Sequence, residues 1–315
     1  MNALSKSGPM PLIIDCDPGI DDAVMLMMAF LSPRLDVRAV TTVAGNVPLA
    51  FTSRNARMVC ERMGRGDVPV FAGCPRPIAR KMVTAEDFHG ESGIAGMDVF
   101  EPKAPLADGH AVSRLIELLS APPPDGYTVI LSGPMTNLAA ALILAPEIAK
   151  GIRELVVMGG ADTAGGNITP TAEFNIYADP HAAAIVFDAD LPTVVLALDA
   201  THQVRAEQRR IDRIRALPGP HAALMADLLD AANQLELRWR PGMQVPMHDP
   251  STAGFVLAPH LFETKSCRVS VVTRPGKEFG RTKVQDLKRG PHRWVTVADA
   301  DGFFALVEDL LEGRA

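Results

Sequence analysis

The chain has 315 residues, 47% of them apolar and 22% charged, with a net charge of −6. That is enough apolar sequence for a sizeable core in a globular, soluble protein. The acidic balance, without a basic stripe or a Lys/Arg block, argues against a nucleic-acid backbone as partner.

The N-terminal run Leu12-Ile13-Ile14 stops at Asp15, too short for a signal segment, and reads as a first buried strand. A helix-like stretch follows at Asp22–Leu31, then an apolar run Val37–Val43 and a second helical pattern at Leu49–Met63. Further runs at Val68–Phe71, Tyr127–Leu131, Ile152–Met158 and Thr193–Leu198 alternate with helical patterns at Ala111–Leu119, Asn137–Leu144 and His181–Phe187. From about Phe262 the pattern alternates (Cys267–Thr273, Trp294–Val297) and closes on a helix-like Gly302–Leu311. Strand–helix alternation of this kind predicts an α/β fold, a central and mostly parallel sheet flanked by helices. Without a linker or repeat, residues 1–315 read as a single domain.

Gly73–Lys103, Gly159–Ala178 and Arg238–His248 read as long loops, which in compact domains tend to hold function. Cys16, Cys60, Cys74 and Cys267 are scattered, so neither a disulfide framework nor a zinc site is expected. No stretch is long enough to span a membrane, and a reduced, cytoplasmic location is the expectation.

The chemistry concentrates where apolar runs end. Asp15-Cys16-Asp17-Pro18-Gly19-Ile20-Asp21-Asp22 gathers four carboxylates within eight residues. Helix capping accounts for Asp21 or Asp22, but not for Asp15 and Asp17 at the end of a buried strand. Carboxylates brought together repel unless a cation neutralises them, and a set of oxygen-only ligands favours Ca²⁺ or Mg²⁺. On its own the cluster also fits a Mg²⁺-dependent phosphatase of the haloacid-dehalogenase type, and fits nucleotide-sugar transferases less well.

The wider pattern is more specific. Residues 15 to 22 resemble the N-terminal signature of the inosine–uridine-preferring nucleoside hydrolases. In that family's order follow Val43-Ala44-Gly45-Asn46, His89-Gly90-Glu91-Ser92-Gly93, Ser132-Gly133-Pro134-Met135-Thr136-Asn137-Leu138-Ala139, Met158-Gly159-Gly160, Ala172-Glu173-Phe174-Asn175, Asp179-Pro180 and His248-Asp249-Pro250. The resemblance reaches about Leu257 and implies a Rossmann-like nucleoside hydrolase fold. It implies hydrolysis of a ribonucleoside to ribose and free base with Ca²⁺ as cofactor, in nucleoside catabolism or in purine or pyrimidine salvage. Homo-oligomers, dimers or tetramers, are common in the family. A rival enzyme reading is the phosphatase, although nothing resembles a phosphate-gripping lysine. A non-enzymatic rival is a Ca²⁺-dependent nucleoside- or sugar-binding module.

The resemblance assigns Ca²⁺ to Asp17, Asp22, Asp249 and the backbone carbonyl of Ser132, a position that is often Thr in the family. It makes Asp17 the general base on the attacking water, so a single displacement predicts inversion at C1′. Asp21 matches an acceptor for a ribose hydroxyl, and Asn46, Asn167, Glu173 and Asn175 match residues that grip the sugar. Phe174 lies between the last two. Met158 matches an apolar contact under the ring, His248 a histidine that protonates the departing base, and His89 a residue approaching the base. Each has a plainer reading. Gly-Asn is turn punctuation, Glu173 and Asn175 suit a solvated loop, and Met158 suits core. His248 suits the surface, and Asp249 before Pro250 suits a helix cap. The segment Gln234–Met247 should set base preference. Family members often carry tyrosines there; this chain offers Gln234, Arg238, Trp239 and Arg240, with Trp239 as a stacking platform or a buried anchor.

Overall fold

The structure, a computed structural model, describes residues 8–85, 90 and 92–315. Its strands are β1 (Met10–Cys16), β2 (Leu35–Thr42), β3 (Val70–Ala72), β4 (Tyr127–Leu131), β5 (Ile152–Met158), β6 (Thr193–Leu196), β7 (Phe262–Val271), β8 (Thr282–Asp286) and β9 (His292–Ala298). They form one sheet in the order β3-β2-β1-β4-β5-β6-β9-β7-β8. The run from β3 through β9 is parallel, while β7 pairs antiparallel with both β8 and β9. The order reverses between β1 and β4, and a crevice opens at the carboxyl ends of strands at such a switch point.

The helices are α1 (Ile20–Leu31), α2 (Leu49–Arg62), α3 (Ala111–Ser120), α4 (Thr136–Leu144), α5 (Phe174–Ala178), α6 (Pro180–Asp188), α7 (Leu198–Thr201), α8 (Gln208–Arg215), α9 (Pro220–Trp239), α10 (Pro250–Leu257) and α11 (Ala300–Leu311). Side chains alternate between the faces of a strand, and this alternation builds two cores. Leu12, Ile14, Ile130, Val156 and Val194 face the layer that holds α1. Ile13, Val129, Leu131, Leu155, Val157 and Val195 face the layer that holds α4 and α6. Strands buried on both faces explain why these segments read as unbroken apolar runs rather than as alternating ones.

Helix α1 is buried on nearly every side, against α9 and α10, and is correspondingly apolar apart from Asp21 and Asp22. Two expectations need correction. The run Thr193–Leu198 is a strand only to Leu196, and α7 begins at Leu198. Of the expected loops, Gly159–Ala178 ends in α5, and α9 extends to Trp239 inside the third. Helices α8 and α9 answer to no predicted element. Among the described residues, no helix is long and apolar enough to cross a membrane.

Candidate active site

Asp17 follows the last residue of β1 and is fully buried. Its Oδ2 accepts the Asn46 backbone N–H at 2.7 Å, while its buried Oδ1 has no hydrogen-bond partner among the described residues. Two glycines make room for this carboxylate, Gly45 after β2 and Gly133 after β4. A β-carbon would stand 2.0 Å from Oδ2 at the first and 2.5 Å from Oδ1 at the second.

Asp22 sits in the first turn of α1, where its Oδ2 accepts the Gly19 N–H at 3.0 Å. Capping is therefore part of its role. Asn46 Nδ2 reaches the same oxygen at 3.2 Å, and the Ser132 hydroxyl donates to Oδ1 at 2.7 Å. Asp249 occupies the cap position of α10 but makes no side-chain capping bond, so the cap role expected from its sequence position is not what holds it. Its carboxylate instead turns inward, and ligand atoms of Asp21, Asp22 and Asp249 lie within 4.8 Å of one another. Asp17 stands beside this trio rather than in it. Asp15 is separate: it accepts from Thr41 Oγ1 at 2.5 Å and from Asn137 Nδ2 at 2.7 Å, which gives it a structural role.

Burial raises all four site carboxyls. Asp17 and Asp249 are pushed well above the usual range, by burial first and then by neighbouring carboxylates. Burial and then Asp21 beside it bring Asp22 to about 6, and Asp21 is raised by burial. Taking an ion out of water costs several kcal/mol unless it is paired. Among the described residues no lysine or arginine forms an ion pair with these four. Buried oxygens on Asp17 and Asp21 that have no partner among the described residues, in an all-oxygen donor set, fit a hard divalent cation.

Two of the carboxylates, Asp21 and Asp249, line a cavity of about 370 Å³ together with Asn46, Ser132, Met158 and Asn175 among others. Asn175 Nδ2 donates to the Ser132 carbonyl at 2.7 Å, so the oxygen expected to be a metal ligand already accepts one bond and keeps its second lone pair. Glu173 caps α5. Its two oxygens accept the N–H groups of Asn175 at 2.9 Å, Gly160 at 3.0 Å and Ile176 at 3.1 Å, and burial pushes its carboxyl up to about 7. Asn167 Oδ1 accepts the Phe174 N–H at 2.9 Å. Both residues thus fold the loop and line the cavity, which corrects the picture of a solvated loop.

Phe174, Trp239 and His248 also line the cavity; Trp239 is 60% exposed, so it is no buried anchor. His248 Nδ1 lies 2.7 Å from the Thr201 hydroxyl, and its ring is 5.6 Å from that of His202. His89 lies outside the described residues. Sequence reasoning missed Glu236, Thr201 and Asp199. Glu236 lines the cavity from the last turn of α9 and pairs with Arg240 at 3.5 Å. Asp199 accepts from the backbone of Asp162, Thr163 and Ala164 and from the Thr163 hydroxyl. An i,i+4 charge spacing was the one visible signal for Glu236.

The sequence model described as inosine-uridine preferring nucleoside hydrolase matches residues 12–305. An uncharacterized protein of Schizosaccharomyces pombe is 40% identical over 275 residues, 87% of this chain and 89% of its own. The pyrimidine-specific ribonucleoside hydrolase RihB of Shigella flexneri is 38% identical over 307 residues, 96% of this chain and 97% of its own. Among solved structures, the purine-preferring ribonucleoside hydrolase from Gardnerella vaginalis superposes with a TM-score of 0.90 at 28% identity, over 96% of this chain and 98% of its own.

Proposed function

The chain belongs to the inosine-uridine preferring nucleoside hydrolase family and hydrolyses the N-glycosidic bond of nucleosides; from that premise we propose which of its residues perform each part of the reaction. The observation that supports the assignment is one cavity lined by Asp21, Asp249 and a histidine, with the buried carboxylates of Asp17 and Asp22 beside them and no ion pair to any of the four among the described residues.

Nucleoside hydrolases are metal-dependent, and a cluster of three carboxylates is present here. In our reading the ion is Ca²⁺, held by Asp17, Asp22, Asp249 and the Ser132 carbonyl. Ca²⁺ bound there supplies charge that orients the ribose diol and acidifies an attacking water. Asp21, whose Oδ1 has no hydrogen-bond partner among the described residues, is left to accept a ribose hydroxyl. Asp17 has one oxygen tied to Asn46 and one without a partner among the described residues, and the second takes the proton from water as its oxygen attacks C1′. A single displacement of this kind inverts C1′.

Asn46, Asn167, Glu173 and Asn175 hold the sugar hydroxyls. Glu173 retains acceptor capacity beyond its three backbone bonds, because a carboxylate offers about four lone-pair sites. Met158 packs under the ring, Phe174 and Trp239 flank the base, and His248 assists its departure. The phosphatase and the non-catalytic binding module gain no support from the comparisons.

We also read the protein as a cytoplasmic homo-oligomer, a dimer or tetramer, working in nucleoside catabolism or salvage. Four free cysteines, three of them buried, support a reducing compartment. Ile143 and Leu144, 60% and 70% exposed at the end of α4, support contact with a second copy.

Base release from purine and pyrimidine ribosides, followed by chromatography with Ca²⁺, with chelator and for Asp17→Ala, tests the reading. Release that disappears in both controls is expected. Release that persists in the Asp17→Ala variant overturns the role of Asp17, and release untouched by chelation overturns the metal assignment.

A further inference from the structure

Thr201 is fully buried at the end of α7, and its hydroxyl lies 2.7 Å from His248 Nδ1. A buried hydroxyl must place its proton on an acceptor, because an orphaned donor costs about 1–3 kcal/mol. In a short helix the usual acceptors are the carbonyls three and four residues back. Here the Ala197 carbonyl takes the N–H groups of Ala200 and Thr201, and the Leu198 carbonyl takes that of His202. Among the described residues, the hydrogen-bond partner the hydroxyl has is the imidazole.

A neutral imidazole has one donor and one acceptor nitrogen, and the bond made by one nitrogen decides the role of the other. If Nδ1 held the proton, it would donate to Thr201 and strand the hydroxyl proton inside the protein. If Nδ1 is bare, the hydroxyl is satisfied and Nε2 holds the proton. The two nitrogens lie on opposite sides of the ring, and this ring lines the substrate cavity.

We propose that Thr201 is a positioning residue that fixes His248 as the tautomer with hydrogen on Nε2, making it a neutral hydrogen-bond donor to the departing base. The inference rests on the hydrolase reading above. In the step it serves, the bonding pair of C1′–N moves onto the base, which leaves as an anion held by Nε2–H. Water oxygen bonds to C1′, and its proton goes to Asp17. The anion takes a proton from solvent after release, so the ring never has to give up its own.

Two substrates separate this role from a structural one. A nucleoside leaves a basic nitrogen anion and needs the donor. p-Nitrophenyl riboside leaves a stable phenolate and does not. For Thr201→Val, kcat on a nucleoside is expected to fall by about tenfold to hundredfold, with p-nitrophenyl riboside changed less than about twofold. Thr201→Ser should restore the nucleoside rate. Equal losses on both substrates, or no loss on the nucleoside, overturn the proposal.

Nitrogen-15 NMR of the native chain labelled at histidine reads the tautomer without any variant, so the test survives a misfolded Thr201→Val. A bare Nδ1 on His248 is expected, and a protonated Nδ1 overturns the proposal. Failure of the underlying reading looks different: the native chain then releases no base from any riboside, and the inference falls with it.

Discussion

Gly45 and Asp17 are packed so closely that a β-carbon at position 45 would stand 2.0 Å from Asp17 Oδ2. The φ of Gly45 is not in the left-handed region, so the requirement for glycine there is one of space. The loop after β2 donates its Asn46 N–H to the carboxylate only because its backbone can come this near.

Gly45→Ala should therefore displace Asp17 without unfolding the chain. A shift of about 1 Å at a reacting group costs about a hundredfold in rate, and a fall of that order in kcat is expected while circular dichroism stays native. Unchanged kcat would show that Asp17 tolerates displacement and is not the base.

Removing divalent cations should leave a pH signature. Folded Asp22 keeps its proton up to about 6, whereas its ordinary value is 3.8. Without a cation the unfolded chain releases that proton first, so its contribution is full below 3.8 and is lost as pH rises through about 6. Ca²⁺ binds the ionised form, so the Tm difference between Ca²⁺ and chelator should grow from about pH 4 to about pH 7. A difference constant across that range would contradict a cation among these carboxylates.

Asp199 ties down the start of the loop that bears Asn167 and Glu173, through three backbone N–H groups and the Thr163 hydroxyl. In Asp199→Asn, loosening of that loop should weaken the grip on the sugar before it disturbs the reacting atoms. KM is expected to rise by about threefold to tenfold with kcat nearly kept. A selective loss of kcat instead would place Asp199 closer to the chemistry.

Trp239 is 60% exposed at the cavity lining, so its removal exposes little core. If it stacks on the base, Trp239→Ala should lower kcat/KM by about tenfold, the scale of one aromatic–base contact. Tm should stay within a degree or two. A lower Tm with unchanged kcat/KM would make the residue a structural anchor of α9.

Much of this molecule was legible along the chain. β4 and β5 appear at the predicted bounds, Tyr127–Leu131 and Ile152–Met158, because strands buried on both faces read as near-continuous apolar runs; Arg153 and Glu154 at the start of β5 are the exceptions, and they are not buried. The acidic cluster was legible too, although of its four carboxylates Asp15 has a structural role and Asp22 partly caps α1; Asp17, at the end of a buried strand, is the one without an ordinary structural use. Helices α8 and α9 went unread: Gln208–Arg215 is dominated by charge, and α9 buries a face containing Asn233 and Glu236.

The sequence by itself determined the kinds of group available, namely carboxylate oxygens, an imidazole, and small residues beside them, because residue type is local. Tertiary structure alone decided which groups meet. It joined Asp21 and Asp22 to Asp249 from the far end of the chain, set Asp15 aside with Thr41 and Asn137, and put the Thr201 hydroxyl on His248. Those relations depend on where two strands of the sheet reverse order and on which loops pack over the gap. Spacing along a chain does not encode distance across it.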